Sequence, residues 1–414
     1  MSLRSSVVIA TVLYAAAAAS AQVSTPQEPA ARPAPAAPAG EVAATPDAET
    51  DLGGNPAPVP TERYWLEQGL DRLGVGELPF RVYGWSQVSY TASSTDRFNT
   101  PTTFNDRAES FQLQQNWLEV VRSIDTSRAE TQYGFRVASI LPGYDYKYTQ
   151  ARGMWNDQSS RNGIDTTYVY GEMFLPTLGN KGSTVRVGRW ATAIGWEMIE
   201  AIATPFVSRS YNFQYNPFTH TGAQVTTDLD GGLTMYHGIV TGADVFFDPA
   251  ATASYVGGLK WAPAGSSTTV AANVFYTGQG YDQDEAFQHY DSYNVVVTHT
   301  IRDGLSYVLD STFGTTRSTA AGSAAAQWYG FANYLSWTLA PELTANFRAE
   351  TFTDDDGART GTSGHYVAGT IGLAWQPEPW LQVRPFARYD RNQNDPFEGK
   401  SEMWTGGLDV IVRW

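Results

Sequence analysis

The sequence predicts an all-β fold: a closed antiparallel transmembrane β-barrel of about 16 strands, preceded by a signal peptide and a disordered Pro/Ala-rich leader. Three observations predict it. Side chains alternate between apolar and small or polar from residue 80 to the end. The joins between these segments are alternately short and long. Aromatics are plentiful (Tyr 23, Phe 19, Trp 13) beside Gly 38, while charged residues make up only 17%, against about 25% in ordinary soluble domains. A mean hydropathy of −0.32 does not oppose a membrane barrel, whose wall is polar on one face. No run of about 20 apolar residues follows the N-terminus, which excludes a bundle of membrane helices. The net charge of −15 would repel phosphate and argues against nucleic acid. With no cysteine, disulfides, thiolate catalysis and Cys-based zinc sites are excluded.

Residues 1–21 carry Arg4, an apolar run from Val7 through Leu13 to Ala19, and the small-residue end Ala19-Ser20-Ala21. That is the build of a secretory signal peptide cleaved before Gln22. The leader, residues 22–61, is dominated by proline and alanine and has no aromatic residue, so it can bury no core. Its Pro-rich part extends at ~3.1 Å per residue, on the order of 120 Å in all. A periplasmic spacer, a tether to the cell wall or a periplasmic partner, and a leader without partner all fit this composition. Residues 62–79 form a pre-barrel segment in which Trp65, Leu66, Leu70 and Leu73 suggest one short helix.

The barrel is expected over residues 80–414. Val367, Gly369, Ile371, Leu373 and Trp375 share one face, and Tyr366, Ala368, Thr370, Gly372 and Ala374 the other. The first set suits lipid and the second a lumen. The last segment repeats this, with Trp404, Leu408, Val410, Val412 and Trp414 outward and Met403, Thr405, Asp409, Ile411 and Arg413 inward. Phe111–Arg122 alternates poorly because of Gln115 and Glu119, which predicts a bulge or a register change there. Joins after even-numbered strands are short, as in Asp303-Gly304 and Ala340-Pro341-Glu342, whereas 142–165, 191–218 and 391–400 after odd strands are long. An outer-membrane barrel has this asymmetry, short turns lying on the periplasmic side. Trp414, a terminal aromatic on an alternating strand, fits the signal read by the barrel-assembly machinery, although any amphipathic strand could end so by accident.

The stretches YGWSQVSYTASSTDRFNTPTTFNDRAESFQLQQNWLEVVRSID, LPGYDYKYTQARGMW and VSRSYNFQYNPFTHTG resemble the outer-membrane β-barrel porins of proteobacteria, the OmpL-like group. FNDRA and PFTHTG are the most specific parts, and the likeness extends over residues 80–414. The resemblance implies a channel in the outer membrane of a Gram-negative bacterium for passive diffusion of small hydrophilic solutes or ions. It implies no catalytic residue and no cofactor.

A barrel of 16 strands leaves an aqueous channel unless something fills it. Loop 191–218 carries Trp196, Met198, Ile199, Ile202, Phe206, Tyr211, Phe213, Tyr215 and Phe218, too much apolar surface for bulk water. It is expected to fold inward and narrow the pore, with Ile194–Ala203 as a short helix; a loop packed at the mouth or on a neighbouring subunit is the alternative. By parity, Arg136, Glu172, Arg186, Arg348, Glu350, Arg384, Arg388 and Asp390 point inward. An arginine wall facing Glu197 and Glu200 of the loop would set up a transverse field that sorts solutes by charge; inward charges that only hydrate the lumen or pair among themselves are the plainer reading. A structural or tethering protein using the leader, and an enzyme on a barrel, are the other classes. For the enzyme, neither His299 nor His220 has a serine two residues away, and GxSxG, HExxH and the phosphate-binding glycine loop are missing. Two acidic loops, at Asp282–Glu285 and Asp354–Asp356, lack the ligand spacing of a calcium loop; loose bridging to lipopolysaccharide phosphates or simple solvation remains. Outer-membrane lipid surrounds the wall, and trimers are common among porins of this size.

Overall fold

The computed structural model describes residues 57–74, 78–154, 159–248, 253–277, 290–316 and 325–414. The expected signal peptide, nearly all of the leader and the acidic loop 282–285 lie outside these. Among the described residues, 16 strands form one closed antiparallel barrel in which each strand pairs with its neighbours in sequence and β1 pairs with β16. In chain order they are β1 Arg81–Ser93, β2 Ser110–Arg122, β3 Gln132–Gly143, β4 Gly163–Leu175, β5 Ser183–Ala191, β6 Thr219–Asp228, β7 Leu233–Val240 and β8 Ser254–Trp261. Then follow β9 Thr268–Tyr276, β10 Tyr290–Arg302, β11 Leu305–Thr316, β12 Gln327–Ala340, β13 Leu343–Asp354, β14 Gly364–Glu378, β15 Leu381–Arg391 and β16 Glu402–Arg413. No helix among them is long and apolar enough to cross a membrane; the strands do that.

The alternation decides the two faces. On β14, Val367, Ile371, Leu373 and Trp375 are exposed on the outer wall, while Tyr366, Ala368 and Thr370 are buried inside. The joins obey the same logic. Those after even strands run from 303–304 and 341–342 up to 123–131, and the last is no longer than the shortest join at the other end, 355–363. Both ends of the barrel wall therefore lie on the short-turn side. There Gly84 N–H donates to the Trp414 carbonyl at 3.0 Å and Trp414 N–H to the Gly84 carbonyl at 2.8 Å, closing the seam.

The irregularity in β2 is a bulge. Gln87 pairs with Gln115 and Val88 with Leu113, so Gln114 is the extra residue. It turns both Gln114 and Gln115 inward, where both are buried. Before the barrel, α1 spans Trp65–Arg72 and rests at the seam, with the Trp65 ring 6.0 Å from that of Trp414. Arg81 of β1 pairs with Glu67 of α1 and donates to the carbonyls of Pro60 and Glu62 at 2.9 Å each. Inside the long-loop half lie two short helices, α2 (Tyr146–Thr149) and α3 (Tyr211–Tyr215).

Candidate functional site

The register of β12 to β16 builds a charged wall. Tyr334, Arg348, Thr370, Arg388 and Thr405 are successive partners across five strands, and Ala332, Glu350, Ala368, Asp390 and Met403 form the row two residues away. Residues two apart on a strand share a face, so each arginine of one row meets an acid of the other. Arg348 Nε donates to Glu350 Oε1 at 3.0 Å, and Arg388 Nη2 to Asp390 Oδ1 at 2.7 Å. Arg388 also pairs with Glu350 at 3.1 Å. Arg384 Nε donates to Asp409 Oδ1 of β16 at 3.0 Å.

Loop 192–218 crosses the lumen against this wall. Its apolar side chains Ile194, Ile199, Tyr211, Phe213, Tyr215 and Phe218 join one core with wall aromatics such as Trp117, Trp190, Phe352 and Tyr366. Irregular backbone at membrane depth needs a partner for every amide and carbonyl, and the wall supplies them by type. Guanidinium groups take the carbonyls: Arg384 those of Ala201 and Thr204, Arg348 that of Ser208 at 2.9 Å, and Arg388 that of Arg209 at 2.7 Å. Acceptors take the amides: Asp310 that of Trp196 at 3.2 Å, Asn294 that of Gly195 at 3.1 Å, and Glu350 that of Tyr211 at 2.7 Å. Bulged Gln115 does both, donating to the Ile199 carbonyl at 2.8 Å and accepting from Ala201 N–H at 3.1 Å.

The expected helix over Ile194–Ala203 is replaced by a single 3₁₀ turn, Ala201–Ala203, with Glu200 extended before it. Instead, Arg209 donates to the carbonyls of Met198 and Ile199 at 2.8 Å each, the carbonyls that an i→i−4 ladder would use. The expected arginine wall facing acids across water is also different in detail. Glu197 binds Arg348 directly at 3.0 Å and accepts from Tyr334 Oη at 2.9 Å. Glu200 turns to the opposite wall, where Tyr168 Oη donates to it at 3.0 Å. Charges this far from water pair because an unpaired one costs several kcal/mol. Arg348, Glu350, Arg384, Arg388 and Asp390 are each at most 3% exposed, so the loop packs directly against this side of the wall.

Arg136, Glu172 and Arg186 sit apart from that wall. They line a cavity of about 810 Å³ at the short-turn end of β2 to β8, together with Tyr170, Lys181, Asp228 and Lys260. Arg186 pairs with Glu172 at 3.0 Å and lies 4.6 Å from the Tyr170 ring centre. Arg136 pairs with Glu119 at 3.2 Å. The ten residues singled out in the sequence thus divide into a group between the loop and the β12–β16 wall, a group around this cavity, and Glu200 between them. Asp409, Gln115, Glu119, Tyr334 and Arg209 were not among the ten. Gln115 and Glu119 had a usable signal, since both interrupt the alternation of β2. At the long-loop end, burial pushes the Asp145 carboxyl up to about 7, while the charge of Arg209 and the amide of Gln115 pull it back. The acidic turn after β13 is capped from within: Asp354 accepts from the amides of Ala358, Arg359 and Thr360.

A closed barrel of 16 strands with a loop bound across its lumen is the architecture of an outer-membrane porin, a channel for passive diffusion. Residues 79–413 match the family described as "Putative beta-barrel porin-2, OmpL-like", and the chain belongs to that family. The fold is shared with solved porins of remote sequence. The anion-selective porin of Comamonas acidovorans is 8% identical with a TM-score of 0.51, over 81% of this chain and 99% of that one. The outer-membrane channel DcaP of Acinetobacter baumannii is 12% identical with a TM-score of 0.53, over 81% and 97%. OmpT of Vibrio cholerae, in its trimer form, is 9% identical with a TM-score of 0.53, over 81% and 99%. No curated protein sequence matches the chain.

Proposed function

We propose that the barrel is a narrow, non-catalytic pore for small hydrophilic solutes or ions in the outer membrane of a Gram-negative bacterium. The observation that carries this reading is the loop bound across the lumen by Arg348, Arg384 and Arg388, which narrows the barrel's interior at that level. Glu197, Glu200, Arg348, Glu350, Arg384, Arg388 and Asp390 line the constriction, and Arg136, Glu172 and Arg186 line its periplasmic approach. Four cations, Arg136, Lys181, Arg186 and Lys260, and two acids, Glu172 and Asp228, line that approach, and this balance favours small anions. Trp414 is read by the assembly machinery, outer loops meet lipopolysaccharide, and the leader reaches periplasmic partners. A homotrimer agrees with the assembly named for the Vibrio porin.

Planar-bilayer conductance, together with liposome swelling in sugars, amino acids and phosphate, tests the reading. Single-channel steps and size-limited swelling are expected. A folded barrel that passes neither ions nor solutes would overturn it.

A further inference from the structure

The chain that precedes α1 runs into the barrel. Ala57 is 4% exposed and lies beside Arg136, four residues up β3 from its periplasmic start, or about 13 Å along the strand. Its backbone joins a carboxylate of the loop to a guanidinium of the wall. Ala57 N–H donates to Glu200 Oε1 of the constriction loop at 2.9 Å, and Arg136 Nη1 donates to the Ala57 carbonyl at 3.1 Å. Behind these partners stand Tyr168, which donates to Glu200, and Glu119, which pairs with Arg136 and accepts from Tyr83 Oη at 2.7 Å and Trp117 Nε1 at 3.1 Å. Val59 packs against the core that includes the loop's aromatics. Pro58 and Val59 line the 810 Å³ vestibule, and Arg81 holds the Pro60 carbonyl at 2.9 Å.

These contacts are made for an inserted strand of chain. Glu200 is fully buried, and a buried carboxylate oxygen without a donor is costly. Two prolines in four residues keep the segment extended and stiff, so little entropy is lost when it enters.

We propose that Ala57–Pro60 is a tethered plug that occupies the lumen beneath the constriction loop and holds the pore in a low-conductance state. This rests on the porin reading. The plug latches the loop to the wall through Glu200 and Arg136, and its withdrawal joins the vestibule to the constriction. The leader is then the handle by which a periplasmic partner could draw it out.

Single-channel conductance in planar bilayers decides the matter for three chains: full length, lacking residues 22–50, and lacking residues 22–60. Each is first checked as a folded barrel by heat-modifiable migration in SDS gels. The chain without 22–60 is expected to conduct at least threefold more than full length, and the chain without 22–50 to match full length. A fourth chain, full length with Ala57→Pro, loses the N–H that Glu200 accepts from and serves if the deletion does not fold; it too should conduct more. Equal conductance in all forms overturns the plug and leaves the porin intact. No conductance in any form overturns both.

Discussion

Arg348 Nη1 of β13 donates to Glu197 Oε1 at 3.0 Å, and both side chains are at most 1% exposed. This ion pair joins the barrel wall to the loop inside it. Arg348 also reaches the Ser208 carbonyl and hydroxyl and the Thr370 hydroxyl, so one guanidinium holds two separate parts of the loop. Breaking one partner of such a buried pair costs about 3–5 kcal/mol, whereas replacing both is far milder. Arg348→Met is therefore expected to lower the guanidinium midpoint of unfolding and to make conductance noisy. Arg348→Met with Glu197→Gln should recover much of the loss. Purely additive losses in this double-mutant cycle would show the two residues to be uncoupled.

Arg384 and Arg388 are balanced by Asp409, Asp390 and Glu350. Replacing both arginines by glutamine leaves that acidic row in place and makes the constriction more negative by two charges. The reversal potential in a salt gradient should move toward cation preference. An unchanged reversal potential would remove both residues from the conduction path.

The seam depends on the absence of a side chain at Gly84. A Cβ there would lie 2.2 Å from the Trp117 carbonyl oxygen and 2.6 Å from the indole of Trp414, whose Nε1 donates to Ser86 Oγ at 3.1 Å. Gly84→Val should delay appearance of the heat-modifiable folded band during refolding into vesicles. Removing Trp414 should slow assembly in cells much more than unassisted refolding. Equal slowing in both would assign Trp414 to the seam alone.

Asp145 makes stability depend on pH in an unusual direction. Its folded value of about 7 lies above the ~3.9 of an unfolded chain, so the folded state holds the proton more tightly. The stabilisation is complete below pH ~4 and is lost as pH rises toward 7. Asp145→Asn should therefore gain on the native chain between pH 4 and pH 8, by a few kcal/mol at most. Guanidinium unfolding at the two pH values measures it, and a gap independent of pH would contradict the buried proton.

Much of this architecture is legible residue by residue. Val367 to Trp375 declares its two faces because the side-chain period of a strand is two and lipid accepts only one set. Gln115 and Glu119 announced an irregularity in β2, and the bulge at Gln114 is that irregularity. Apolar crowding in 191–218 favoured a loop inside over one at the mouth or on a neighbouring subunit, and its aromatics do join the interior core. Its conformation was not readable: Ile194–Ala203 has helical composition, but its carbonyls belong to Arg209, Gln115 and Arg384.

By itself, then, the sequence determined the closed antiparallel barrel, which way its cleanly alternating strands face, which end has the short turns, and that arginines and acids point inward. These follow from alternation and turn chemistry, which are local. Only the tertiary structure decided which charges meet. Glu197 is 151 residues from Arg348, and Ala57 is 143 from Glu200. Such partners are chosen by where a loop and a leader come to rest in one shared interior, where buried charges pair and no period of the chain records with whom.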